Sequence, residues 1–424
     1  MKKTVLFLFT ATYPSSNTWE YPRIESEIPH LLDQFDQIII LPSVVEGESR
    51  PLLKGVKCER TLAAALKKNH RIMLPNRILQ GIRSSLFWKE YFSKFPITGH
   101  PKSVKRSSVW NAEALITAKW AEDYLKENKI GLQNCLFYTY WFETVATGIG
   151  WLKTRYPNLK LVSRAHGYDL YEERFSPAYI PFRKESLGAL DRLFINSDYG
   201  NKYLSHKYPQ YIAKFETALM GVCSTGKKNN PSPDRICRIV SCSNIVLVKR
   251  VDLLCEGLLH LASLYPTQIF EWNHFGDGPL MSKLTTLIQN SPTNLTIRLW
   301  GQTPNERILV YYTENPIDLF INTSSSEGVP VSIMEAQSFG IPVIAPQVGG
   351  IPEIVSYQNG YLLDPNPSPS EIAQAVWEMY TSPDITLKRR ASLQNWQKKF
   401  NAKVNYQDFA RQIRAVIDTS PIDR

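Results

Sequence analysis

The sequence predicts a two-part α/β chain in which two parallel sheets are each covered by helices. Three observations carry this expectation. Short β-rich runs alternate with helical segments in two successive series, a polar stretch of Ser, Thr, Gly, Lys, Asn and Pro separates the series, and the two halves are of similar size. With 424 residues, 43% hydrophobic, and Trp 10, Tyr 21 and Phe 18, the chain can bury large cores. A single small module and a generally disordered chain are both excluded.

In the first series the expected strands cover residues 4–9, 37–41, 136–140, 160–164, 192–196 and 215–219, with helices that include 112–127 and 144–155. Val-Leu-Phe-Leu-Phe after Met-Lys-Lys resembles a leader. No small-residue cleavage site closes it, and Thr, Tyr, Pro and Ser follow at once, so it reads as a buried first strand. The second series has strands over 237–242, 270–275, 296–300, 318–321 and 343–345, and helices near 252–263, 280–289, 305–313 and 332–339. The expected division is a first domain over 1–222, a linker at 223–234, a second domain over 235–395, and a C-terminal helix in 396–424 that returns to the first domain. Two such halves place a binding site in the cleft between them, at the carboxyl ends of the strands.

Six cysteines form no CxxC pair and no Cys/His ladder, which argues against a disulfide scaffold or a structural zinc site and fits a reducing compartment. The longest apolar runs fall far short of the ~20 residues needed to cross a bilayer. A soluble, cytoplasmic protein is expected. Charge, however, is unevenly placed. Fourteen Lys and Arg lie between Arg50 and Ser107 against two acids, Glu59 and Glu90, so this stretch outweighs the whole chain's formal +10. It also holds Leu86, Phe87, Trp88, Tyr91, Phe92 and Phe95. A basic helical insertion over about 50–110 is expected, either with a solvated basic face or facing the inner surface of an anionic membrane. Nucleic acid is the other polyanion such a stretch could meet, but no nucleic-acid module is recognisable and none is expected as partner.

The passage that carries chemistry runs Ser324-Ser325-Ser326-Glu327-Gly328-Val329-Pro330-Val331-Ser332-Ile333-Met334-Glu335-Ala336. A strand ends in a Ser-rich loop, a Gly follows an acid, and Pro330 stands where a helix would start. Free amides and the positive dipole end at such a helix tip suit an anion such as phosphate. Glu327 at the loop mouth and Glu335 inside the helix would then accept hydrogen bonds from hydroxyls, because a carboxylate beside a phosphate is unfavourable.

This passage, with Gly340-Ile341-Pro342-Val343-Ile344-Ala345 and Gly349-Gly350-Ile351-Pro352-Glu353-Ile354-Val355, closely resembles glycosyltransferase family 4, retaining transferases of the GT-B fold. Lys249-Arg250-Val251-Asp252-Leu253-Leu254, Phe275-Gly276-Asp277-Gly278-Pro279-Leu280 and Leu299-Trp300-Gly301 support the resemblance. In the first half, Arg164-Ala165-His166-Gly167-Tyr168-Asp169-Leu170-Tyr171 is similar to the acceptor-side signature of bacterial surface-polysaccharide members, of the capsule, exopolysaccharide and colanic-acid type. The resemblance implies a metal-independent hexosyltransferase with no cofactor, two Rossmann-like domains, a UDP- or GDP-linked sugar as donor and a glycan or lipid-linked acceptor. Glu327, Lys249 and His166 would be catalytic. Glu335 would hold ribose hydroxyls, the amides of Gly328 and Val329 the sugar and distal phosphate, and Asn244, Gly276, Leu299 and Trp300 the rest of the donor. Asp169 and Ser15 would lie on the acceptor side.

Family members usually carry an Arg five residues before the Lys, where this chain has Asn244, which donates a hydrogen bond but no charge. The loop at 10–18 is Ser-rich where many members have glycines. Two other functions share the implied fold, a non-catalytic sugar-nucleotide-binding protein and a sugar-nucleotide epimerase. Asp169 as a helix cap is the alternative to an acceptor role.

Overall fold

The computed structural model describes residues 3–15, 20–45, 47–70, 74–289 and 291–418. It divides into two compact units, Met1–Ala218 with Tyr406–Arg424, and Leu219–Asn405.

The N-terminal unit holds strands β1 (Val5–Thr10), β2 (Gln37–Pro42), β3 (Val56–Cys58), β4 (Cys135–Thr139), β5 (Lys160–Ala165), β6 (Arg192–Ile195) and β7 (Phe215–Thr217). Their order is β3-β2-β1-β4-β5-β6-β7, with every neighbour parallel. In the C-terminal unit β8 (Cys237–Cys242), β9 (Phe270–Phe275), β10 (Leu295–Leu299), β11 (Leu319–Ile321), β12 (Val343–Pro346) and β13 (Gly360–Leu363) are ordered β10-β9-β8-β11-β12-β13. Both sheets therefore follow the Rossmann order, which reverses between β1 and β4 and between β8 and β11.

Strand periodicity accounts for the two-sided cores. Phe7 and Phe9 enter one apolar cluster with Phe137, while Leu6 and Leu8 enter the opposite one with Leu136. Cys237 and Ile239 face Trp272 and Leu258, whereas Val240 faces Phe320 and Ile333 on the other side. Strands buried on both faces show near-continuous apolar runs, and this is why most were legible.

Where the structure departs from expectation, burial explains the departure. Val56–Cys58, inside the expected insertion, is the edge strand of the first sheet, pairing Ile38–Ile40 with Val56–Cys58. The long helix ahead of β4 covers Pro101–Glu127 rather than starting near 112. Its first half looks polar in sequence because Ser103, Ser107, Ser108 and Asn111 are buried. Ser107 Oγ and Ser108 Oγ donate to the carbonyls four residues back, at 2.8 and 2.7 Å. The expected linker is fastened to the C-terminal unit: Asn229 Nδ2 donates to the carbonyls of Tyr312 and Asn315 at 2.7 and 2.8 Å.

The last helix, Ala402–Asp418, places Phe409, Ala410, Ile413 and Val416 in the N-terminal unit's core. Beneath it lies a fully buried ion pair, Arg164 Nη1 to Glu27 Oε2 at 2.6 Å. The Arg164 guanidinium carbon sits 4.3 Å from the Phe409 ring centroid. Among the described residues no helix is long and apolar enough to cross a membrane.

Candidate active site

In an open parallel sheet, the crevice forms where the loops leave oppositely directed crossovers, so the loops after β8 and β11 define the place to look in the C-terminal unit. They are bolted together. Ser325 N donates to Val248 O at 2.8 Å, and Thr323 Oγ1 donates to Lys249 O at 3.0 Å. Arg250, in left-handed backbone with φ 49°, sends Nε to Thr323 O at 2.7 Å and Nη2 to Ser324 O at 3.1 Å and Pro365 O at 2.9 Å. Arg250 is thus committed to loop carbonyls and does not replace the missing Arg at Asn244.

This fastening brings Glu327 and Lys249 together as an ion pair between Lys249 Nζ and Glu327 Oε1. Glu327 is buried, and it also accepts from Ser324 Oγ at 2.7 Å and Asn322 Nδ2 at 3.4 Å. The backbone behind it is shaped by Gly349, at φ 54°, where a Cβ would lie 1.9 Å from Glu327 O. Pro330 is the cap residue of helix Val331–Ser338 rather than its first turn, with no side-chain cap. Gly328 and Val329 lie just ahead of that tip, and Val329 is buried in the core. Glu335, on the helix, is also buried and accepts from Asn305 Nδ2 at 2.7 Å. Its charge, after burial itself, helps push the Cys242 thiol up to about 12.

The other residues expected on the donor side ring the same strand ends. Asn244 is exposed in the loop after β8. Gly276, at φ 140°, follows β9 where a Cβ would stand 1.9 Å from Ser243 O, so only glycine lets the two loops touch. Leu299 is half-buried at the end of β10. Trp300 is 48% exposed, stacked on Phe275 at 5.5 Å and oriented by its Nε1 bond to Asn273 Oδ1 at 2.9 Å. His274 beneath is held neutral, burial pushing it down to about 4, between Ser241 Oγ and Ser243 O.

In the N-terminal unit the equivalent crevice lies beyond β1 and β4. The loop after β1 would offer its amides to an anion, but Glu20 already takes them: Ala11 N at 2.9 Å, Thr12 N at 2.6 Å and Tyr13 N at 2.9 Å. Trp141 Nε1, in the loop after β4, donates to the same carboxylate at 2.7 Å. The Trp141 ring lies 4.2 Å from the His166 ring, which Tyr140 flanks at 4.9 Å. His166 is buried beyond β5 and its pKa is lowered, chiefly by burial.

Asp169 departs from the helix-cap alternative. It caps no helix, and its buried oxygens face the amides of His166 at 2.7 Å and Phe142 at 2.9 Å, with His166 Nδ1 3.5 Å away. Burial opposes its charge, but His166 and these amides outweigh it and hold the pKa below the ordinary carboxylate value. Ser15 is buried too, its amide donating to Thr12 O at 2.9 Å; residues 16–18 of its loop lie outside the described residues. Glu20 and Trp141 were missed because their contact is a long-range fastening. Glu143 was missed as well: burial, then Asp169 and Glu113, push its carboxyl up to about 7.

Two Rossmann-like units in one chain, with paired acids at the second unit's strand ends, define the GT-B class of glycosyltransferase fold. Residues 227–400 match the family described as Glycosyl transferases group 1. Over 170 residues the chain is 30% identical to a component of the phosphatidylinositol N-acetylglucosaminyltransferase of Arabidopsis thaliana, covering 39% of this chain and 37% of that protein. It is 28% identical over 149 residues to the amylovoran biosynthesis glycosyltransferase of Erwinia amylovora, covering 33% and 36%. The chain thus spans little more than a third of the length of either. The solved structure of Anabaena HepE in complex with UDP and glucose matches over 97% of this chain and 99% of that one, at 15% identity and a TM-score of 0.63. That likeness is one of fold.

Proposed function

We propose that the protein is a retaining hexosyltransferase that moves a sugar from a UDP- or GDP-linked donor to a growing glycan, a lipid-linked surface-polysaccharide precursor at the inner face of the cell membrane. One observation carries this reading: Glu327 and Glu335 are both buried beside the switch point of the second sheet, each already held by a hydrogen-bond donor. The family match over residues 227–400 and the UDP seen in a protein of the same fold support a nucleoside diphosphate there.

In this reading Glu335 takes the ribose hydroxyls and Glu327 a hydroxyl of the transferred sugar. The amides of Gly328 and Val329 meet the sugar and distal phosphate, while Trp300 and Leu299 border the base. An ammonium has three donors, so Lys249 can keep Glu327 and still grip the diphosphate as negative charge builds on it. No metal is required by this scheme. His166 is the catalytic residue this reading assigns to the N-terminal unit, with Asp169 and Trp141 as positioning residues that fix its ring.

Glu335→Ala tests the reading. Each hydrogen bond lost to a charged group is worth about 1.5–3 kcal/mol, so donor affinity measured by calorimetry should fall on the order of ten- to a hundredfold. Unchanged affinity would overturn it. A turnover screen over UDP- and GDP-sugars with membrane lipid extract separates transfer from binding alone, and from conversion of the donor without acceptor.

A further inference from the structure

The structure assigns a second function to the basic, aromatic stretch: we infer that the face formed by Trp88, Phe92, Phe95 and Ile97 is a docking surface for an anionic lipid bilayer. It lies in the N-terminal unit, outside the nucleotide site, and rests on its own observations rather than on the transfer reading.

Helix Ser85–Ser93 is two-faced in an unusual sense. Phe87 and Glu90 are turned inward and buried. Trp88 and Phe92, one helical turn apart, point the other way and are 42% and 70% exposed, followed by Phe95 at 63% and Ile97 at 40%. The rings form one connected patch: Trp88 stacks on Phe92 at 5.8 Å, and Tyr91 bridges Phe92 at 5.3 Å and Phe95 at 6.0 Å. Contiguous exposed rings of this kind mark an interaction site rather than chance exposure.

Charge selects the partner. Between Glu59 and Glu113 the only acid is Glu90. It is buried and consumed, accepting from Lys94 Nζ at 2.8 Å, Tyr179 OH at 2.6 Å and Phe182 N at 3.0 Å. Arg77 is withdrawn as well, in a 2.5 Å pair with Glu113. What remains exposed in this segment is cationic: Arg83, Lys89, Lys102 and Lys105. Rings that enter the acyl boundary, set among lysines that meet headgroup phosphates and with no exposed carboxylate between them, fit an anionic membrane surface.

The test is flotation of the full chain with vesicles of phosphatidylcholine mixed with phosphatidylglycerol, against phosphatidylcholine alone. Binding is expected to the anionic vesicles only. The triple variant Trp88→Ser/Phe92→Ser/Phe95→Ser should weaken it about tenfold or more. Lys89→Glu/Lys102→Glu should weaken it about fivefold or more for each lysine reversed. Both variants should keep the wild-type melting temperature and affinity for UDP, so loss of docking and loss of the donor site are read separately. Equal binding to both vesicles, wild-type binding by the triple variant, or a wild-type dimer that the triple variant splits while neither floats, would each overturn the inference. RNA binding removed by the lysine changes, without flotation, would do so too.

Discussion

A single carboxyl shows how far local environment can move a residue from its sequence-level identity. Glu143 is an ordinary glutamate in the sequence, yet burial beside Asp169 and Glu113 raises its pKa to about 7. The folded state then keeps a proton that the unfolded chain releases near pH 4.3. By linkage, the stability this group lends is complete below that unfolded value and is lost as pH rises through about 7. Glu143→Gln has no such proton to lose. Relative to wild type, its melting temperature should therefore be higher at pH 8 than at pH 5. A difference that stays constant between those two pH values would contradict the assignment.

Among the elements, the loops carry what the strands only position. Gly349 matters twice, through a positive φ of 54° and through the missing Cβ that would sit 1.9 Å from Glu327 O. Gly226 gives a control in the same unit, because it shares the positive φ, at 75°, but a Cβ there would touch nothing within 4 Å. Gly226→Ala should show the backbone cost alone, about 1–3 kcal/mol, with donor affinity intact. Gly349→Ala should lose more stability in denaturant titration and also lose donor affinity, since Glu327 must shift. Matching donor affinities in the two variants would mean that this loop does not shape the site.

The same contrast explains what could be read from the sequence. Buried strands such as Val5–Thr10 announce themselves by their apolar runs, and the Glu327 to Glu335 passage by its residue order. The edge strands Val56–Cys58 and Gly360–Leu363 are too short to do so and lie beside Gly55 and Asn359-Gly360, which read as turns. The Lys249–Glu327 pair joins residues 78 apart, and the carboxylate of Glu20 reaches Trp141 across 121. No local pattern encodes either distance.

For the molecule as a whole, the last helix is structural for the unit built mainly from the other end of the chain. Phe409 is buried against Tyr138, Phe194 and the Arg164 guanidinium. Phe409→Ala should cost about 3–5 kcal/mol, read as a lower denaturant midpoint for the N-terminal unit while the C-terminal unit's transition stays in place. A variant that shifts neither transition would show the helix to be dispensable. The two sheets share one strand order but treat their first crevice differently. In the first, Glu20 occupies the seat that an incoming oxyanion would need. Such self-plugging satisfies from within the chain the very amides a phosphate would seek, so an anion arriving there would first have to displace a carboxylate.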